Sequence, residues 1–336
     1  MKTALLNSKE LDHAVTYLKN GEVVAFPTET VYGLGADATN EEAVKKIFAA
    51  KGRPNDNPLI IHISNVDQLE SYVQSIPEAA KKVIAHFWPG PCTIILRKKG
   101  AIAPSVTGGL DTVGVRMPDH PVALELIEKV GIPLAAPSAN SSGKPSPTTA
   151  LHVKKDLDGK IQAIIDGGAT GVGLESTVLD LTNPDKPTIL RPGGVTREEL
   201  EAVLGQVWLD THLDDESVAP KSPGMKYTHY APEKPVWILP DSFEQTETLL
   251  KQLEMSGEKI GLLISEEWMG SLSDTKRICY TLGEKKKPQL AAARLFSSLR
   301  ALDEEDVSLI LVEPYAKEGI GTAFMNRLEK AASRIV

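Results

Sequence analysis

The chain has 336 residues, 24% of them charged and 41% hydrophobic, an ordinary globular composition with enough length for two domains, each with its own core. A net charge of −8, with 21 Lys/Arg against 24 Asp/Glu in residues 1–205 and 16 against 21 in residues 206–336, excludes a broad basic nucleic-acid surface and leaves room only for a local patch. Two distant cysteines, seven histidines without metal-ligand spacing and no apolar run approaching about 18 residues exclude a disulfide framework, a protein-built transition-metal site and a membrane span, so a cytoplasmic, reducing location is expected.

Strand and helix patterns alternate over the first 205 residues. In chain order they predict a helix over Ser8 to Lys19, a strand over Val23 to Phe26, a helix over Glu41 to Ala50 and a strand over Leu59 to Ile63. A helix over Pro77 to Phe87 follows, then strands over Cys92 to Arg97 and Thr112 to Met117, a helix over Pro121 to Val130 and a strand over Pro133 to Ala136. Strands over Ile161 to Ile165, Thr177 to Leu181 and Thr188 to Leu190, and a helix over Arg197 to Leu204, complete the region. So many short strands, some with no helix between them, predict an α/β fold on a mixed, twisted sheet. Residues 206–235 lose the periodicity and read as an interdomain linker, too long for a connection inside one domain. Residues 236–336 resume as a smaller, Rossmann-like open α/β domain. Its strands are Val236 to Leu239, Ile260 to Ile264, Arg277 to Thr281 and Leu309 to Val312; its helices are Phe243 to Met255, Gln289 to Leu302 and Thr322 to Ser333.

Three polar islands interrupt the first region. In the first, Lys51 and Arg53 stand one residue apart between a helix end and a strand start, with Thr39 and Glu42 in capping-box spacing upstream, Gly52 as a C-cap and Pro54 as a stop. A point-charge donor beside a planar fork can jointly grip phosphate oxygens; the same pair also suits a solvated helix end that offsets the helix dipole. The second island, Pro27 to Gly35, follows a strand and offers the hydroxyls of Thr28 and Tyr32, with Gly33 and Gly35 permitting close backbone approach. The third, Ala136 to Thr148, crowds hydroxyls, an amide and three prolines after an apolar segment, so its donors are presented with little ordering entropy left to lose. No Walker A and no GxGxxG turn is present.

Together these islands resemble the YrdC/Sua5 family in its long, Sua5-type form. The resemblance rests on PTETVYGLG at Pro27 to Gly35, KxR at Lys51 and Arg53 with PLIIH at Pro58 to His62, WPGPCT at Trp88 to Thr93 and GLDTVGVRMP at Gly109 to Pro118. It continues through APSAN at Ala136 to Asn140, Pro145 to Thr148, ESTV at Glu175 to Val178, LRPG at Leu190 to Gly193, and SPGMKYTHYAP at Ser222 to Pro232 in the linker. The resemblance implies a nucleotidyltransferase that condenses L-threonine, bicarbonate or CO2 and ATP into threonylcarbamoyl-AMP and pyrophosphate. A separate tRNA threonylcarbamoyl transferase would then deliver the group to adenosine 37.

Carried over position by position, Lys51 and Arg53 would be the catalytic cations on the ATP phosphates. Thr28, Tyr32, His62, Arg116 and Ser176 would hold L-threonine. Asn55, Thr112, Ser138, Asn140, Ser146 and Arg191 would complete the nucleotide environment, joined by Tyr230 from a linker expected to act as a lid. Mg2+ would come with ATP, with no confident protein side-chain ligand and no tightly bound organic cofactor. Glu29 and Glu175 suit either pocket carboxylates or ordinary ion pairs, and His62 suits a core strand as well as a site. The charge count neither shows nor excludes a weak tRNA contact.

Overall fold

The computed structural model describes residues 2–54, 57–210, 230–273 and 277–336. Asn55 and the linker stretch 211–229, where the lid is expected, lie outside them. The described residues form two units: 2–142, 146–171 and 175–210 in the first, 143–145, 172–174 and 230–336 in the second.

The first unit begins with β1 (Ala4–Asn7), α1 (Leu11–Lys19), β2 (Val24–Phe26), β3 (Gly33–Asp37), α2 (Glu41–Lys51) and β4 (Ile60–His62). After a 3-10 turn at Val66–Ser71 come α3 (Glu78–Phe87), β5 (Cys92–Arg97), α4 (Pro104–Thr107), β6 (Thr112–Arg116), α5 (Pro121–Val130) and β7 (Leu134–Ala135). Then follow α6 (Ala150–Leu157), β8 (Ala163–Asp166), β9 (Thr177–Asp180), β10 (Thr188–Arg191), α7 (Arg197–Leu204) and β11 (Trp208–Leu209). The strands form one sheet in the order β1-β8-β2-β3-β7-β4-β6-β5-β9-β10-β11. It is mixed, as expected: β4 and β6 run parallel while β5 and β6 run antiparallel. Alternation along β2 builds the core on both faces, because Val23 and Ala25 enter one buried cluster while Val24 and Phe26 enter another.

Three local readings are corrected. Helix α2 is capped by Asn40, whose side chain accepts from the amides of Glu42 and Ala43, whereas Thr39 turns its hydroxyl to Asp37. The second island leads into a strand, β3, whose Gly-Leu-Gly-Ala sequence hides it from propensity; Phe26 fills the space beside Gly35, where a Cβ would meet its ring at 2.8 Å. Helix α6 went unread because Thr149 caps it directly after the polar third island. The expected C-cap holds: Gly52 is left-handed at φ 63°.

The second unit contains β12 (Val236–Ile238), α8 (Phe243–Met255), β13 (Ile260–Ser265), α9 (Glu266–Leu272), β14 (Ile278–Gly283), α10 (Pro288–Glu304), β15 (Leu309–Val312), α11 (Ile320–Ala331) and β16 (Arg334–Ile335). Its sheet, ordered β14-β13-β15-β12-β16, is parallel throughout. Strand β13 is buried along its whole length because helices cover both faces. Among the described residues, no helix is long and apolar enough to cross a membrane.

Candidate functional site

Arg116 closes β6 and is 4% exposed, so its guanidinium must be satisfied locally. Nε donates to the Gly90 carbonyl at 3.2 Å, one terminal nitrogen donates to Thr30 Oγ1 at 2.9 Å, and the other pairs with Glu29 Oε2 at 2.6 Å. Glu29 Oε1 is buried with no hydrogen-bond partner among the described residues. His62 closes β4 beside Arg116, and burial, reinforced by that positive charge, lowers it to about 3. It is therefore neutral at physiological pH, and its Nδ1 is buried without a partner among the described residues.

Around this pair stand hydroxyls delivered by other strand ends. Thr28, after β2, bonds Thr30 Oγ1 at 2.8 Å and donates to the Val31 carbonyl, which folds the island into a tight turn. Ser176 Oγ lies 2.8 Å from Thr93 Oγ1, and Arg191, at the end of β10, donates to the Ser176 carbonyl at 3.0 Å. A Cβ on Gly193 would come within 2.3 Å of the Ser176–Thr177 backbone, so only glycine lets the chain after Arg191 approach this closely. Tyr32 donates its hydroxyl to the Gly168 carbonyl at 2.7 Å, and burial pushes it up to about 12.

The second and third islands are joined by backbone bonds: Ala139 donates to the Tyr32 carbonyl, Leu34 to Pro137 and Tyr32 to Pro147. Lys51 completes the assembly. Its ammonium reaches from the end of α2 to the Ser138 carbonyl at 2.5 Å, the Asn140 carbonyl at 2.8 Å and Asn140 Oδ1 at 3.2 Å, while Ser138 Oγ donates to the same Oδ1. Ser146 donates to Glu175 at 2.5 Å. Arg53 lies half-buried, with long 3.4 Å contacts to the carbonyls of Asn57 and Pro58.

Of the residues nominated from sequence, the structure thus gathers Thr28, His62, Arg116, Ser176 and Arg191 at one end of the sheet. Lys51, Ser138 and Asn140 form a cluster tied to that end through Tyr32. Thr112 opens β6 and lies four residues, about 13 Å, from Arg116. Tyr230 belongs to the second unit, where its ring stacks on Phe296 at 5.2 Å. Thr30 and Thr93 were missed although both lie inside quoted motifs; only the fold shows that their hydroxyls meet Arg116 and Ser176. Cys92 offers no nucleophile, since burial pushes its thiol up to about 12. Among the described residues no group of three His, Cys, Asp or Glu could hold a metal ion.

A Sua5/YciO/YrdC family model described as telomere recombination matches residues 16–193, and a model of the threonylcarbamoyl-AMP synthase C-terminal domain matches residues 195–333. The chain is 51% identical to the threonylcarbamoyl-AMP synthase of Bacillus subtilis, over 97% of this chain and 94% of that one. It is 48% identical to that of Pyrococcus abyssi over 95% of this chain and 93% of the relative. Among solved structures, P. abyssi Sua5 complexed with L-threonine superposes with a TM-score of 0.92 at 45% identity, covering 99% of both chains.

Proposed function

The chain belongs to the Sua5/YrdC family of threonylcarbamoyl-AMP synthases, and from that premise we propose that it condenses L-threonine, bicarbonate or CO2 and ATP into threonylcarbamoyl-AMP and pyrophosphate. The observation that carries this reading is the buried Arg116 at the common end of β4, β6 and β10, held by the Thr30 hydroxyl and the Glu29 carboxylate. A guanidinium held in a fixed plane takes an amino-acid carboxylate as a fork. Glu29 Oε1 is an acceptor for the amine at the same place.

The amine, once carboxylated, is a carbamate whose oxygen attacks the α-phosphorus of ATP as pyrophosphate leaves. That step requires no protein nucleophile, in keeping with a thiol held protonated and a histidine held neutral. Catalysis then rests on alignment and on cations facing the phosphate charge, the part assigned to Lys51 and Arg53. Mg2+ would come with ATP and would offset charge on its phosphates. The product is an activated mixed anhydride, which a separate transferase would consume to modify tRNA adenosine 37.

Pyrophosphate release measured with each substrate omitted in turn tests the reading. Release should require ATP, L-threonine and bicarbonate together; release from ATP alone, undiminished without threonine, would refute it.

A further inference from the structure

The second unit carries a cavity of about 680 Å³ that none of the chemistry above uses. Its position follows from the sheet order. From β13 the chain crosses through α9 to β14 on one side, whereas from β15 it crosses through α11 to β16 on the other. Since β13 and β15 are neighbours, their carboxyl ends mark the topological switch point, where open α/β sheets bind ligands. The cavity lies there, walled by Ser265 at the end of β13, Lys285 after β14 and Glu313 to Lys317 after β15.

The floor is a built polar network. Glu313, 1% exposed, accepts from the Ser265 amide at 2.6 Å and from Lys285 Nζ at 2.6 Å. Lys285 also donates to the Pro314 carbonyl, and its ammonium stands 4.2 Å from the Tyr315 ring centroid. One buried lining hydroxyl remains uncommitted: Tyr315 Oη has no partner among the described residues, while Ser265 Oγ lies beside the Glu267 carboxylate and helps to hold it below the usual carboxylate range. A hydroxyl left so is costly unless something else satisfies it. Trp268 adds an aromatic wall braced edge-on by Phe243 at 5.6 Å.

Three features select the ligand. The volume falls in the range of small-molecule sites and exceeds what a single amino acid fills. The lining carries Asp241, Glu267, Glu313 and Glu329 against Lys285 and Lys317, a field that repels polyphosphates. Moreover β12 runs into Leu239-Pro240-Asp241 and β13 into Glu266-Glu267, turns without glycine, and Gly319 and Gly321 at the start of α11 are not among the residues that line the cavity. We propose that this cavity is a second ligand site of the chain, one that takes a nucleoside: a planar base against Trp268, its polar edge or ribose on the Tyr315 hydroxyl, and no polyphosphate tail.

Photolabelling the full chain with 8-azidoadenosine, followed by peptide mapping, tests the site directly. Label should appear within 265–269 or 313–317 and be displaced by adenosine, with ATP at least tenfold less effective. Tyr315→Phe keeps the packing and should weaken protection by adenosine about tenfold, the loss of one hydrogen bond. Trp268→Ala should weaken it by a comparable or larger factor, whereas Arg53→Ala in the first unit should leave it unchanged. Absence of adenosine-protectable label in these peptides, equal protection by ATP or by threonine, or protection unaltered in both Tyr315→Phe and Trp268→Ala would each overturn the proposal.

Discussion

Replacing Lys51 by methionine should damage structure as well as rate, whereas replacing Arg53 by glutamine should damage rate alone. Lys51 is 4% exposed and its ammonium donates to three acceptors on the loop 138–140. Hydrogen bonds from a charged donor contribute about 1.5–3 kcal/mol each. Three on one loop are not additive, and methionine removes the cost of burying the charge, so about 2–4 kcal/mol is the expected net loss. That loss is local. The amides of Ala139 and Ser142, bonded to the carbonyls of Tyr32 and Lys51, report it. Their hydrogen exchange should accelerate by about 30-fold or more in Lys51→Met, following the conversion of about 1.4 kcal/mol per tenfold. Arg53 is half-buried rather than buried, and its contacts to the carbonyls of Asn57 and Pro58 are long, at 3.4 Å, so its truncation should cost less than that of Lys51. Both variants should release pyrophosphate on the order of a hundredfold more slowly. If exchange at Ala139 and Ser142 is unchanged in Lys51→Met, the ammonium does not hold the loop and the reasoning fails.

Substrate choice gives a second test: serine lacks one methyl and should react about 10–200-fold less efficiently in kcat/KM, while threonine methyl ester should fail for want of a carboxylate on Arg116, and equal use of the ester would remove Arg116 from that role. Glu29→Ala leaves the Arg116 guanidinium buried without its counter-charge and should destabilise the first unit by about 3–5 kcal/mol, read from urea unfolding; an unchanged midpoint would show the pair to be dispensable. His62 bears on acid stability. Its value falls from 6.5 to about 3 on folding, so the unfolded chain binds the extra proton between those limits and stability declines as pH falls through that window. The slope from this one group is about 1.4 kcal/mol per pH unit. His62→Gln should flatten acid unfolding there, and an unaltered pH profile would contradict the burial argument.

The sequence by itself determined the type of the strongly periodic elements and the identity of the polar islands, because apolar periodicity, caps and prolines act within a few residues. Gly52 ends α2 wherever the helix packs, since only a left-handed residue closes it cheaply. Strand β3 was illegible because its glycines and alanine carry little β propensity; it exists because Phe26 and the backbones of β2 and β7 accept it. The motifs likewise presented Lys51 and Arg53 as a matched pair. Only the tertiary structure separated them, by bringing Asn140 from 89 residues away onto the Lys51 ammonium. The same holds for Glu29 and Thr30 on Arg116 and for Thr93 on Ser176, which are partners across strands. Pairings of this kind depend on sheet order and register, which emerge when the whole chain closes its core and which no local run of side chains encodes.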